Sequence, residues 1–125
     1  VHVAVLPANT LSPHPDPLLI LAGGPGQAAS ELATFAARLN EIRRTRDIVL
    51  VDQRGTGRSS PLTCEAYSEA GLKASMLETD PTPRAKACAA ELAKAGVDAS
   101  RYTTAAFVAD LEDVRRALGA ARWNL

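Results

Sequence analysis

Two short apolar runs, each ending in a glycine-rich break and separated by a helical pattern, constrain this chain more than any other feature. Leu18-Leu19-Ile20-Leu21-Ala22 contains no polar residue and is cut off by Gly23-Gly24-Pro25-Gly26. A continuous apolar run of that length, closed by a turn signal, is the pattern of a strand buried on both faces. Asp47-Ile48-Val49-Leu50-Val51-Asp52 repeats it ahead of the glycine- and serine-rich segment Gln53 to Pro61. Between the runs, Ser30 is placed to cap a helix with Glu31 in its first turn, and Leu32, Phe35, Ala36, Leu39 and Ile42 recur at helical spacing. Strand, helix and strand predict a βαβ unit with parallel strands and a right-handed crossover. The expected fold class is therefore α/β, a mostly parallel sheet flanked by helices.

The remaining chain extends this plan. Val1 to Leu6 alternates like a strand, whereas Pro7 and the stretch Asn9 to Pro17, with Pro13, Pro15 and Pro17, can continue neither sheet nor helix. Leu62 to Asp80 shows no clean period and stays unassigned. A helix with Pro83 at its first position carries Ala85, Cys88, Leu92 and Ala95 on one face and stops at Gly96. A last helix, capped by Thr103 or Thr104, lines up Phe107, Leu111, Val114 and Leu118, has Arg115 and Arg116 in its final turns, and ends at Gly119. Arg122-Trp123-Asn124-Leu125 reads like a strand just beginning. With no initiating methionine and a strand starting at the other end, both ends read as cut, and residues 1–125 are expected to be the N-terminal portion of a single, incomplete domain.

Composition narrows the partners. Fourteen basic residues balance fourteen acidic ones, and an interspersed net charge of zero offers no footprint for nucleic acid or an anionic membrane. A peptide or small-molecule substrate fits better. The apolar runs fall far short of the roughly 20 residues that span a bilayer, so no transmembrane segment is expected. Two cysteines, Cys64 and Cys88, come without a nearby pair of histidines, and no metal site is expected. A disulfide and two free thiols both remain open at this point.

Chemistry is expected at the glycine-rich loops, because in an open parallel sheet the ligand crevice lies beyond the carboxyl ends of the strands. In the first loop glycine allows close backbone approach while Pro25 stiffens the turn. Asp52-Gln53-Arg54-Gly55-Thr56-Gly57-Arg58-Ser59-Ser60 begins like a dinucleotide fingerprint, but Ser60 stands where a third glycine or alanine is needed. Neither loop ends in the Gly-Lys-Ser/Thr of a phosphate loop, and no cofactor is called for. Asp52 and Arg54 are expected to form a structural ion pair that shapes the second loop. Ser59 and Ser60 are expected to be hydrogen-bonding loop residues, and His2 and His14 to be non-catalytic. Asp52, Asp80 and Asp110 do not make a triad.

Taken together, Gly23 to Gly26 after one strand and Asp52 to Ser59 after the next resemble the α/β-hydrolase family, and within it the proline iminopeptidase and tripeptidyl aminopeptidase group. The likeness continues through Tyr102-Thr103-Thr104, Asp110-Leu111, Val114-Arg115 and Leu118-Gly119. It implies that the NH of Gly24 helps form an oxyanion hole, with Gly23, Pro25, Gly26, Asp52, Arg54, Gly55, Gly57 and Ser59 shaping the two loops. The group usually has histidine before the paired glycines; here Ala22 occupies that place. No Gly-x-Ser-x-Gly occurs in the chain. The resemblance therefore implies a nucleophile elbow within about ten residues beyond Leu125, an acid and a histidine later still, and no activity for the isolated chain. It also favours a Cys64–Cys88 bridge and an extracytoplasmic address. The implied function is that of a serine peptidase releasing N-terminal residues or short peptides. Ester hydrolysis and a non-catalytic hydrolase-like binding role are the alternatives.

Overall fold

Side chains alternate across a strand, so burial of four consecutive apolar residues requires cover on both faces. The third strand, β3 (Ile48–Val51), meets this condition with all four residues buried. The computed structural model describes residues 1–24, 26–68 and 79–125, which divide into two units, residues 1–61 with 104–125, and residues 62–103.

In the first unit β3 is the middle strand of three, between β1 (Val3–Leu6) and β2 (Leu18–Ile20). β2 runs parallel to it, pairing Leu18 with Ile48 and Ile20 with Leu50. β1 runs antiparallel, pairing Val3 with Val51 and Leu6 with Ile48. The parallel βαβ pairing is thus present, and an antiparallel edge strand completes a mixed sheet. The chain end adds a parallel bridge: the Leu19 NH donates to the Asn124 carbonyl at 2.8 Å and the Asn124 NH to the Pro17 carbonyl at 3.0 Å.

Each face of the sheet has its own core. Val49 and Val51 join Leu19 and Val114 on one face, packed by Phe107, Leu111 and Trp123 from the helix α4 (Thr104–Ala117) and the chain end. Ile48 and Leu50 join Ala29 and Ala36 on the other, packed by Leu39 and Ile42. The second cover differs from the single helix expected from Ser30 to Ile42. It consists of a 3₁₀ turn (Ala29–Leu32), α1 (Ala33–Ala36) and α2 (Asn40–Arg43). Ser30 caps nothing, because its amide and hydroxyl are both engaged by Asp52. Between α1 and α2 the Arg38 and Leu39 amides reach back only three residues, to Phe35 and Ala36. That break turns Phe35 off the inner stripe to 57% exposure while Leu39 and Ile42 stay packed. Leu118, expected on the inner stripe of α4, lies past the last helical residue and is also exposed.

Below the amino ends of the strands the proline-rich loop is pinned by a buried carboxylate. Asp16 accepts from Arg46 Nε at 3.1 Å and from Arg122 Nη2 at 3.2 Å, and its carbonyl accepts from the Asn124 amide side chain. Burial works to raise its pKa, but the hydrogen bonds from Arg46, Asn124 and Arg122 outweigh it and hold the carboxyl at about 2, below the ordinary 3.8.

In the second unit the described elements are a 3₁₀ turn (Glu65–Tyr67), α3 (Thr82–Lys94) and a 3₁₀ turn (Ala99–Arg101). α3 starts one residue before Pro83, which sits in its first turn. Gly96, at φ +78, closes the helix: its own NH donates to the Ala93 carbonyl and the Val97 NH to that of Leu92. Gly119, at φ +67, ends α4 with the same pair of bonds, to Arg116 and Arg115. Cys64 and Cys88 form a disulfide with Cα atoms 5.4 Å apart, and Arg84 lies over the Tyr67 ring at 4.9 Å. Among the described residues of this unit Cys64 alone is buried.

The Asp16 carboxyl is more acidic folded than unfolded, so it stabilises the fold above the ordinary carboxylate range and loses that contribution as pH falls from about 4 to about 2. Urea unfolding across that window should show wild type and Asp16→Asn converging in stability; a constant gap would contradict the assignment. Reducing the disulfide should destabilise the second unit by about 3 kcal/mol. Hydrogen exchange should then speed up across α3 and leave β3 unchanged, and unaltered protection of α3 would argue against it.

Candidate active site

The first glycine-rich loop leaves the carboxyl end of β2. Gly24 has φ +130 and Gly26 φ +99, a region that side chains rarely enter. A Cβ on Gly24 would stand 3.0 Å from both the Gly26 and Gln27 amide nitrogens, whereas one on Gly23 would meet open space. The requirement for glycine is therefore firm at Gly24. The Gln27 NH closes the turn on the Gly23 carbonyl at 3.3 Å. Among the described residues the Gly24 NH has no protein acceptor, and the residue is exposed. Pro25, expected to stiffen this turn, lies outside the described residues.

The second loop leaves the parallel neighbour β3, and its first residue sets its shape. Asp52 is fully buried. Its Oδ1 accepts from the Ser30 NH at 2.8 Å, and its Oδ2 accepts from the Ser30 hydroxyl at 2.9 Å and the Arg58 NH at 3.0 Å. Burial pushes its pKa up, but these bonds, with the nearby His2, prevail and the carboxyl stays below its ordinary value. Its main chain is held as well: the NH donates to the His2 carbonyl at 3.0 Å and the carbonyl accepts from Ser59 Oγ at 2.7 Å. Ser59 Oγ in turn accepts from the His2 NH. Inside the loop Gly55, at φ +85, donates to the Ser59 carbonyl. Gly57 leaves no room for a side chain, since a Cβ there would overlap Ala28 Cβ and the Asp52 carboxylate.

The ion pair expected between Asp52 and Arg54 does not form. With both Asp52 oxygens taken by Ser30 and Arg58, Arg54 instead makes a two-pronged pair with Asp110 on α4, Nε to Oδ2 at 2.8 Å and Nη2 to Oδ1 at 2.6 Å. Sequence reasoning passed over this partnership. The available signal was Asp110 itself, a charge on the helical stripe that otherwise reads Phe107, Leu111 and Val114. Ser30, read as a cap, was also missed as a site residue. The structure places Ser59 within the loop's hydrogen bonds, and Ser60 beside it is exposed at φ +53. The carboxyl ends of two adjacent parallel strands thus carry one loop in which the exposed Gly24 has an NH without an acceptor among the described residues, and a second, internally bonded loop that grips the segment following the first. No cluster of metal-ligating side chains is present among the described residues, and no described helix is long and apolar enough to cross a membrane.

Residues 16–125, which contain this parallel strand pair and both loops, match the family model described as alpha/beta hydrolase fold. The chain belongs to that family. Within it, the chain is 35% identical over 117 residues to a Streptomyces coelicolor protein named "Probable proline iminopeptidase". That alignment takes in 90% of this chain and 24% of the relative, so the chain spans about a quarter of the length of the protein it matches. No solved structure matches the chain.

Proposed function

We propose that this chain supplies the oxyanion-binding half of a serine hydrolase that releases residues from peptide N-termini. The observation that carries the reading is Gly24, an exposed residue at the carboxyl end of β2 whose NH has no acceptor among the described residues, in a conformation only glycine holds comfortably. A donor fixed in that way stabilises negative charge as it develops on a carbonyl oxygen, and needs no reorganisation at the moment of reaction. The name of the Streptomyces coelicolor relative supports an N-terminal peptide substrate. In this reading a serine attacks the carbonyl, a histidine moves the proton, and the serine's own turn adds a second NH opposite Gly24. Those groups stand outside residues 1–125, and the chain alone turns over neither amide nor ester. The Cys64–Cys88 disulfide supports an extracytoplasmic address.

The test is kinetic and uses the full-length protein, with aminoacyl and tripeptidyl nitroanilides beside short-chain nitrophenyl esters. N-terminal amides should be the better substrates. Gly24→Pro, which deletes the NH and cannot hold φ +130, removes the donor and its turn together and should lower kcat at least about 100-fold. A fully active Gly24→Pro variant would remove Gly24 from the site, and turnover confined to esters would replace the peptidase reading.

A further inference from the structure

We infer that Asp52 is a positioning residue, whose buried carboxylate sets where the Gly24 NH points by gripping the segment that leaves the glycine turn. The inference rests on the oxyanion reading of Gly24 and adds the group that acts through it. The turn carries a single long internal bond, from the Gln27 NH to the Gly23 carbonyl at 3.3 Å, so the direction of the Gly24 NH depends on how the turn's two flanks are held. On the entering side β2 does this through its ladder with β3. On the leaving side the chain passes through Ala28 and Ala29, each 1% exposed, into Ser30.

Three contacts hold that leaving side. Asp52 Oδ1 binds the Ser30 main chain, Oδ2 binds its hydroxyl, and Ala28 fits against Gly57, where even a methyl group would not fit. A grip transmits position only if it cannot move. Asp52, itself 0% exposed, is tied through its NH to His2, through its carbonyl to Ser59 and through Oδ2 to the Arg58 NH. The same bonds argue against a role in proton transfer. Both oxygens are already occupied by donors and the group is sealed from any substrate, so it touches no reacting atom. Ser30 belongs to the device as the adaptor, because it offers two donors from one residue.

The experiment compares four variants of the full-length enzyme with wild type: Asp52→Asn, Ser30→Ala, Ser30→Thr and Gly24→Pro. Rates are normalised to active sites titrated by acyl-enzyme burst, so that unfolded protein does not count. Affinity for a peptide aldehyde, which becomes tetrahedral in the site, is measured beside kcat and KM. Asp52→Asn should lower kcat about 10- to 100-fold and weaken the aldehyde in proportion, with KM within about twofold. Ser30→Ala removes only the hydroxyl bond and keeps the protein testable if Asp52→Asn fails to fold; it should show the same pattern, smaller. Ser30→Thr, which restores the hydroxyl, should recover most of the loss. A purely structural residue would lower melting temperature and active-site content and leave normalised kcat and aldehyde affinity at wild-type values. If Asp52→Asn and Ser30→Ala give that result while Gly24→Pro loses both quantities, the positioning role is wrong and the oxyanion reading stands. If Gly24→Pro loses neither, both are wrong.

Discussion

A carboxylate taken out of water must find donors inside the protein, because the desolvation penalty for a buried, unpaired charge exceeds what marginal stability can absorb. Asp52 is in that position by construction. It follows directly on β3, whose residues are buried on both faces, so the chain delivers it to the interior at the strand's end. Its donors come from Ser30 and Arg58, one beyond the first glycine-rich loop and one within the second. Two loops that are remote in sequence therefore share one acceptor, and neither can shift without leaving a buried charge unsatisfied. The arrangement at the carboxyl ends of β2 and β3 depends on this constraint, which the absence of a side chain at Gly57 makes sterically possible.

The two units are held by different means. In the first, Leu19, Ile48, Val49 and Leu50 are fully buried, and each contributes about 1.5 to 3 kcal/mol relative to exposure. Exposed pairs such as Arg44 with Glu41 are worth about 1 kcal/mol at most, so they do not decide the fold. The half-buried pair of Arg54 with Asp110 differs in kind, since its two-pronged geometry orients the second loop against α4. In the second unit, with Cys64 as its buried residue among those described, the covalent bridge does the work that apolar burial does in the first.

Features governed by local chemistry were legible in the sequence. Uninterrupted apolar runs identified β2 and β3, and Gly96 and Gly119 marked where α3 and α4 end, because both depend on adjacent residues alone; the parallel pairing followed from the helical pattern between the runs. Features set by distant partners were not legible. Nothing between Gln27 and Arg54 in the sequence, neither glycine nor proline, announces the break between α1 and α2. The misplaced helix start arises because Ser30 is engaged by a strand end 22 residues away. Asp16 drew no attention in its proline-rich loop, since Arg46, Arg122 and Asn124 meet it only after the sheet has formed. In the candidate site the glycine turn and Asp52 were visible as motifs. Who bonds to whom was not, and the Asp52–Arg54 pairing was wrong because adjacency in a loop says little about where a buried carboxylate turns.

The central claim is that the Gly24 NH, aimed by the Asp52 grip, meets the oxygen on which charge develops. The most direct measurement is a crystal structure of the full-length protein with a peptide boronic acid or aldehyde bound as a tetrahedral adduct. The account predicts an adduct oxygen about 2.7 to 3.1 Å from the Gly24 nitrogen, with the Asp52 bonds to Ser30 intact. An adduct oxygen held by other donors, with the Gly24 NH turned away from it, would contradict the account.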